Sequence, residues 1–212
     1  MLELGLKVLI SYLLGSLNGS LVVGRFYGVD IRSVGSGNPG GTNALRTQGL
    51  VFAFFVMLID VGKGYLPVVF LPALALPGVS LDPEVSRTWL TLACAGAAVV
   101  GHCYPVWFDF KGGKGAATAV GALIAIAPVL LIPGFLAFVI VLILSGYVGL
   151  ATMTAAITLP VYLAITQFTD RWRAVIFLVF LALFIVFTHR SNIQRLRKGQ
   201  EHQMEGVMLF RK

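Results

Sequence analysis

Three polar segments of the chain carry the residue types that could bind a phosphate. They span residues 34–46, 101–118 and 189–201, and they read VGSGNPGGTNALR, GHCYPVWFDFKGGKGAAT and HRSNIQRLRKGQE. Each combines glycine with basic side chains and with small hydroxyl or amide groups. Backbone N–H groups in glycine-rich turns, together with Lys and Arg, commonly bind anions. We call these segments the first, second and third islands, and we predict that they form one phosphate-binding site.

The first island contains two strong candidates for phosphate contact, Ser36 and Arg46. The planar guanidinium of Arg46 suits bidentate binding, and Ser36 adds a short hydroxyl donor. Thr42 or Asn43 is expected to cap the second membrane span, which would bring a helix N-terminus to the same anion. The alternative is a simple glycine-rich loop at the membrane surface. The further predicted substrate-binding residues of this island are Gly37, Asn38, Gly40, Thr42 and Asn43.

The second island places Lys114 among Gly112, Gly113 and Gly115, directly before an apolar stretch. This arrangement predicts an anion held by backbone N–H groups, the lysine and a helix start. It is not a nucleotide P-loop, because Phe108 and Gly115 stand where that motif requires Gly and Ser or Thr. The alternative is a basic, aromatic anchor for lipid headgroups.

The third island begins where the last apolar stretch ends. His189 and Asn192 are three residues apart and share a helical face, and His189 is the best candidate for a general base or phosphate donor. Glu201 is expected to pair with a basic residue and hold the tail. The alternative is a positively charged stop after the last span, with incidental His and Asn.

One further charged pair, Asp60 and Lys63, lies inside an apolar stretch. Three residues apart on a helix, the two side chains share a face. Charges at bilayer depth are costly and are found paired or functional. We expect a structural ion pair, with a role beneath the site as the alternative. His102 is expected to pack between helices.

The composition indicates the setting of the islands. The mean hydropathy is +0.89, 58% of the residues are hydrophobic and 12% are charged, whereas soluble proteins have about 25% charged residues. We therefore predict an all-α polytopic membrane protein, with residues 1–212 as a single integral-membrane domain. Lys7 interrupts the first apolar stretch and no small-residue cleavage site follows, so no cleavable signal peptide is expected.

About seven transmembrane helices are predicted, or six if two close-set stretches merge. The predicted spans are 4–24, 44–72, 87–107, 115–131, 133–148, 150–168 and 173–188. Gly15 and Gly19, in the first of them, suit close helix contact.

Orientation follows from the distribution of basic residues. The positive-inside rule places all three islands in the cytoplasm, the N-terminus outside and the C-terminus in the cytoplasm. The net charge of +7 is mostly this bias, so nucleic-acid binding is not expected. The predicted outer side carries Lys7, Arg87, Arg171 and Arg173. The predicted cytoplasmic side carries Arg25, Arg32, Arg46, Lys111, Lys114, Arg190, Arg195, Arg197, Lys198, Arg211 and Lys212.

Taken together, the islands resemble the three signature motifs of the bacterial acyl-phosphate-dependent glycerol-3-phosphate acyltransferases. The resemblance covers essentially the whole chain in order, spacing and hydropathy. It implies a seven-span enzyme of the bacterial cytoplasmic membrane, with its active site on the cytoplasmic face. Acyl phosphate would acylate the sn-1 hydroxyl of glycerol 3-phosphate, giving lysophosphatidic acid and phosphate.

Carried over by position, this resemblance implies a catalytic set and a supporting residue. Gly41, where Ala is more usual, and Ser191, where an acidic or other polar residue often stands, depart from the family pattern outside the candidate site. Glu201 matches an acidic position that supports structure. The matching catalytic positions are Ser36, Arg46, Lys114, His189 and Asn192.

The chemistry expected of such a site needs neither a metal nor another cofactor. Because acyl phosphate carries a good leaving group, the site mainly has to bind two phosphates and orient the hydroxyl. Membrane lipid is expected to surround the protein. The acidic residues form no ligand cluster on the predicted cytoplasmic side. The competing readings are a permease for a phosphorylated solute, which needs a polar path through the bilayer, and a lipid phosphotransferase, which needs acidic metal ligands.

Overall fold

The computed structural model describes residues 1–209, and within that range the chain is helical, with no β-strand. Arg211 and Lys212, part of the orientation argument, lie outside the described residues. Short 3₁₀ turns cover Ile31–Ser33, Val106–Phe108, Pro128–Leu130 and Glu205–Val207. The α-helices are α1 Leu2–Gly15, α2 Gly19–Tyr27, α3 Gly41–Gln48, α4 Leu50–Phe70, α5 Arg87–Cys103, α6 Ala116–Ile126, α7 Leu131–Ser145, α8 Val148–Thr188 and α9 Arg190–Arg197.

The chain divides into two compact units, one of residues 1–126 and one that begins at Ala127. In the first unit, α1 packs on α5, and α4 packs on α6, α3 and α5. Close crossings use glycine as the sequence predicted: Gly15 lies against the Ala98 backbone of α5, and Gly19 lies against the Val56 carbonyl of α4. Small residues let helix backbones approach closely where lipid provides no hydrophobic drive for association.

In the second unit, α7 packs along α8. Gly146 ends α7 in the left-handed conformation, with φ of 71°. The 41-residue α8 contains two residues with non-helical backbone angles, Gln167 and Arg171. Arg171 falls in the predicted gap between the spans 150–168 and 173–188, and Gln167 lies near the end of the first of these spans. After α9, the tail returns to the end of α7. There the Met204 N–H donates to the Gly146 carbonyl (2.9 Å) and the Leu209 N–H to the Ile143 carbonyl (3.0 Å).

Within residues 1–209, four helices are long and apolar enough to cross a membrane: α4, α5 with its following turn, α7 with the turn before it, and α8. The bent pair α1–α2 would make a fifth, and α6, at 11 residues, is shorter. The helical, multi-span architecture predicted from hydropathy is therefore present, whereas the count of seven stays a prediction.

Several predicted span boundaries were wrong, each for a local reason. The first span is broken after Gly15, because Asn18 caps α2 by accepting from the Leu21 N–H (3.2 Å). The second span starts at Leu50 instead of residue 44, because Gly49, at φ of 85°, separates α3 from α4. The fourth ends at Ile126, because Pro128 lacks an N–H and disfavours a helical residue before it.

A network of ion pairs joins the start of α1 to the α4–α5 loop. Glu3 accepts hydrogen bonds from Lys7 Nζ (2.7 Å), Arg87 Nη1 (2.6 Å) and the Asp82 N–H (2.7 Å). Asp82 in turn pairs with the N-terminal ammonium of Met1, which holds the pKa of its carboxyl below the usual range. Lys7, predicted for the outer side, is thus fully buried against Glu3.

Candidate active site

The first island forms a loop that folds around the side chain of Asn43. Asn43 Oδ1 accepts from the Ser36 N–H (3.0 Å) and from Arg46 Nη2 (3.0 Å). Asn43 Nδ2 donates to the carbonyls of Ile31 (3.3 Å) and Val34 (3.0 Å). The amide is buried and its hydrogen-bonding groups are occupied within the loop, which favours a role in shaping the loop over the predicted direct contact with substrate.

The two residues that Asn43 orients are themselves exposed. Ser36 and Arg46 both present their side chains at the loop surface, as does Thr42. The predicted helix cap was wrong: Gly40 precedes α3, no side chain caps that helix, and α3 ends before the span begins. The donors available to an anion here are therefore the Ser36 hydroxyl, the Arg46 guanidinium and the Thr42 hydroxyl.

Gly41, at the start of α3, lies beneath Met57 of α4. A Cβ at Gly41 would be 2.6 Å from Met57 Sδ. Because Met is flexible, an Ala here requires only a shift of that side chain.

An ion pair also stands at the entrance to the first island. Arg32 Nη2 contacts Asp30 Oδ2 at 2.8 Å, and hydrogen bonds from Arg32 hold the pKa of the Asp30 carboxyl below its usual range. Asp30 also caps the 3₁₀ turn by accepting from the Arg32 N–H. This pair is partly exposed, so it orders the start of the island more than it stabilises the fold.

The second island turns back on the end of α5 and then opens into α6. The Gly112 N–H donates to the Cys103 carbonyl and the Gly113 N–H to the His102 carbonyl, both at 3.1 Å. Gly115 has φ of 86°, a conformation that favours glycine, and α6 begins at the next residue. Lys114 is half-buried, whereas Lys111 is exposed. The predicted order of glycine turn, lysine and helix start is present.

The structure brings the first and second islands together at Pro39 and Gly113. A Cβ at Gly113 would be 3.0 Å from the Pro39 carbonyl oxygen. The same carbonyl accepts a hydrogen bond from Asn18 Nδ2 at 3.2 Å. Sequence reasoning did not single out Asn18, although a buried amide inside an apolar span is a signal of a specific partner.

Beneath this junction lies the predicted ion pair of Asp60 and Lys63. Lys63 Nζ is 2.8 Å from Asp60 Oδ1, and both side chains are buried. Asp60 Oδ1 also accepts from the Gly19 N–H (2.9 Å), and Lys63 Nζ donates to the Leu17 carbonyl (3.1 Å). The pair therefore anchors the α1–α2 break to α4, which is the structural role expected from the sequence.

In the second unit, His189 ends α8 and Asn192 lies in the first turn of α9, and both side chains are buried. His189 Nδ1 lies 2.7 Å from the Ile185 carbonyl oxygen, so the ring is held through that nitrogen as an N–H donor. Asn192 Nδ2 donates to Glu201 Oε1 (2.7 Å), and Arg195 Nε donates to Glu201 Oε2 (2.6 Å). Glu201 thus makes the pairing with a basic residue that the sequence predicted, and it also holds Asn192.

Comparison with known proteins then places the chain in a family. Residues 5–199 match the family model described as glycerol-3-phosphate acyltransferase. The chain belongs to this family. Glycerol-3-phosphate acyltransferase of Synechococcus elongatus is 41% identical over 194 residues, covering 91% of this chain and 90% of that protein. The Aquifex aeolicus enzyme of the same name is 36% identical over 197 residues, covering 92% and 96%.

Solved structures of the family show the same fold. The crystal structure of PlsY (YgiH), an integral membrane glycerol 3-phosphate acyltransferase, in its glycerol 3-phosphate form aligns with a TM-score of 0.81 at 33% identity, covering 95% of each chain. Its lysophosphatidic acid form aligns with a TM-score of 0.79 at 32% identity, covering 94% of each. The family predicted from the three islands is thereby confirmed, and the chain is an all-helical, multi-pass membrane protein. Within residues 1–209, no group of three or more His, Cys, Asp or Glu is placed to hold a metal.

Proposed function

We propose that this protein transfers an acyl group from acyl phosphate to the sn-1 hydroxyl of glycerol 3-phosphate. Membership of the acyltransferase family supports the acceptor, since its relatives carry that substrate in their names. The observation that carries the proposal is the junction of the first and second islands at Pro39 and Gly113. This junction sets the two loops that carry the candidate phosphate-binding side chains against one another, and the proposed reaction has two phosphate groups to hold.

The proposed chemistry is a direct displacement. The sn-1 oxygen forms an ester bond to the acyl carbon, the anhydride C–O bond breaks, and inorganic phosphate leaves with its electron pair. The hydroxyl proton passes to a phosphate oxygen, with His189 orienting the groups. Because the leaving group is good, positioning and charge neutralisation supply the catalysis, and no acyl-enzyme, metal or cofactor is needed.

Each candidate residue has a role in this scheme. Arg46 and Ser36 are proposed to bind a phosphate as guanidinium and hydroxyl donors. Lys114 is proposed to neutralise the acyl phosphate at the start of α6, where the helix dipole adds to its charge. For the third island, His189 and Asn192 are proposed to orient the reacting groups by hydrogen bonding, with Glu201 fixing Asn192.

The setting proposed for this reaction is the bacterial cytoplasmic membrane, with residues 1–212 acting as a single seven-span domain whose islands face the cytoplasm.

Cysteines placed at Ser33, Lys111 and Lys198, all exposed, should resist an impermeant maleimide in intact cells and react after lysis. A cysteine at Glu84, which is exposed and lies three residues before Arg87 of the predicted outer side, should react in intact cells. The native Cys94 and Cys103 are buried and should not be labelled by the maleimide. Labelling of any of these three cytoplasmic positions from outside would contradict this orientation.

The acyl donor is tested with purified protein and two matched donors. Palmitoyl phosphate and palmitoyl-CoA are each incubated with glycerol 3-phosphate, and lysophosphatidic acid is measured by mass spectrometry. We expect product from the acyl phosphate alone. Product from the thioester alone would refute the proposed donor, and no product from either would refute the proposed reaction.

A further inference from the structure

His102 is a buried histidine near the end of α5 that the proposed chemistry does not use. The residue is 2% exposed. It lies between two features already described, the Asp60–Lys63 pair on one side and the glycine turn of the second island on the other.

On the first side, the ring faces the ion pair. His102 Nδ1 is 3.4 Å from Asp60 Oδ1, a close contact that is long for a well-formed hydrogen bond. The same carboxylate oxygen already receives Lys63 Nζ and the Gly19 N–H. Asp60 is therefore fixed by α2 and α4, and it gives the imidazole a rigid neighbour.

On the other side, the ring faces the second island. A Cβ built on Gly113 would overlap His102 Nε2, so the edge of the imidazole packs directly against the Gly113 Cα. The backbone reinforces this contact, because the Gly113 N–H donates to the His102 carbonyl at 3.1 Å. The Pro39 carbonyl oxygen, which accepts from Asn18 Nδ2, lies near the same point, 3.0 Å from that Cβ.

These contacts form a closed circuit within the first unit. It runs from Asp60 through His102 to Gly113, on to Pro39 and Asn18, and back through the Gly19 N–H to Asp60. The first island belongs to this circuit through Pro39 and the second through Gly113. Lys114 is the residue that follows Gly113. Any movement of Gly113 therefore moves the backbone that carries Lys114.

We propose that His102 is a positioning residue that fixes the second island by seating its imidazole edge against Gly113 while Asp60 holds the ring from behind. The inference rests on the proposed function, because it assigns a consequence to the placement of Lys114 in acyl-phosphate binding. His102 contacts protein on both sides and acts through the loop, without touching substrate.

The test is a double-mutant cycle on kcat/KM for acyl phosphate. Gly113→Ala should lose at least about 100-fold, since its methyl collides with the ring. His102→Asn keeps an amide that can face Asp60 but removes the Nε2 edge, so it should relieve that collision. The double variant should regain at least about tenfold over Gly113→Ala, a coupling within the range found for contacting residues. The nearby Pro39 carbonyl makes the recovery partial.

Gly115→Ala is the matched control, because its cost comes from the positive φ of the backbone. His102→Asn should not rescue it. Additive effects at positions 102 and 113, or equal rescue of Gly115→Ala, would overturn the proposal.

Two further readouts separate positioning from a merely structural role. Alone, His102→Asn should raise KM for acyl phosphate about tenfold and leave KM for glycerol 3-phosphate within about twofold, with the unfolding midpoint little changed. His102→Gln, whose amide reaches the Nε2 position, should restore the wild-type KM for acyl phosphate. The proposal would be overturned if both variants changed the KM for acyl phosphate, the KM for glycerol 3-phosphate and the unfolding midpoint in parallel. If the wild type does not use acyl phosphate at all, the proposed function itself fails, which is a distinguishable result.

Discussion

Replacing Asn43 with Ala should destabilise the protein as well as inactivate it. The side chain makes four hydrogen bonds inside the first island, to Ser36, Arg46, Ile31 and Val34. At about 0.5–1.5 kcal/mol net for each bond, the loss amounts to about 2–4 kcal/mol after partial replacement by water. Asn43→Asp tests the donors alone, because it keeps the acceptor oxygen but places a second oxygen against the Ile31 and Val34 carbonyls.

The assay pairs thermal unfolding in detergent with acyl transfer. Both Asn43 variants should lower the unfolding midpoint by on the order of 10 °C and should lose most activity. Arg46→Gln should lose about 100-fold in activity, in the range of a lost charge-stabilising donor, with an unchanged midpoint. Thr42→Val, an exposed change on the same helix, should leave the midpoint unchanged. An Asn43→Ala protein of wild-type stability but without activity would show that Asn43 contacts substrate directly, and would refute our reasoning.

Three further outcomes are expected. Lys114→Ala should cost about 2–4 kcal/mol of transition-state stabilisation in kcat/KM, whereas the exposed Lys111→Ala should be mild; equal losses would mean that the phosphate loop is misplaced. Radiolabelled acyl phosphate alone should leave no label on denatured protein, and a chelator should not abolish turnover, whereas an acyl ester on Ser36 that glycerol 3-phosphate converts to product would contradict direct transfer. The lowered pKa of Asp82 means that its pairing stabilises the protein above the ordinary carboxyl pKa and that this contribution is lost as the pH falls through the lowered value. Asp82→Asn should therefore lower the unfolding midpoint at pH 7, and this difference should shrink as the pH falls below the ordinary carboxyl pKa, whereas a pH-independent difference would contradict the ion pair.

Sequence reasoning succeeded where the deciding interaction is local. Asp60 and Lys63 are one helical turn apart, so their pairing follows from spacing and the cost of buried charge. Arg195 and Glu201 pair across a short turn for a similar reason. The glycine turn before α6 was also predictable, because its glycines, Lys114 and the helix start are consecutive in the sequence.

The remaining features depend on contacts that spacing does not reveal. In the sequence, Asn43 is one more possible donor in a polar loop. Only the folded loop shows that its amide group donates to the carbonyls of Ile31 and Val34. His102 and Asn18 meet their partners across helices, so their place in the circuit depends on how α2, α4 and α5 cross. The break at Gly49 was missed because a single glycine within an apolar stretch is usually tolerated.

The return of the tail to α7 has a consequence for how the protein is made. The last carbonyls of a helix have no hydrogen-bond partners within the helix. The carbonyls of Ile143 and Gly146 accept hydrogen bonds from the N–H groups of Leu209 and Met204, about 60 residues later in the chain. During translation, α7 enters the bilayer well before the residues that complete its end have been synthesised. We therefore expect the end of α7 to be completed only after residues 204–209 have left the ribosome, so that a nascent polypeptide stalled before residue 204 would be inserted but remain a substrate for membrane quality-control proteases.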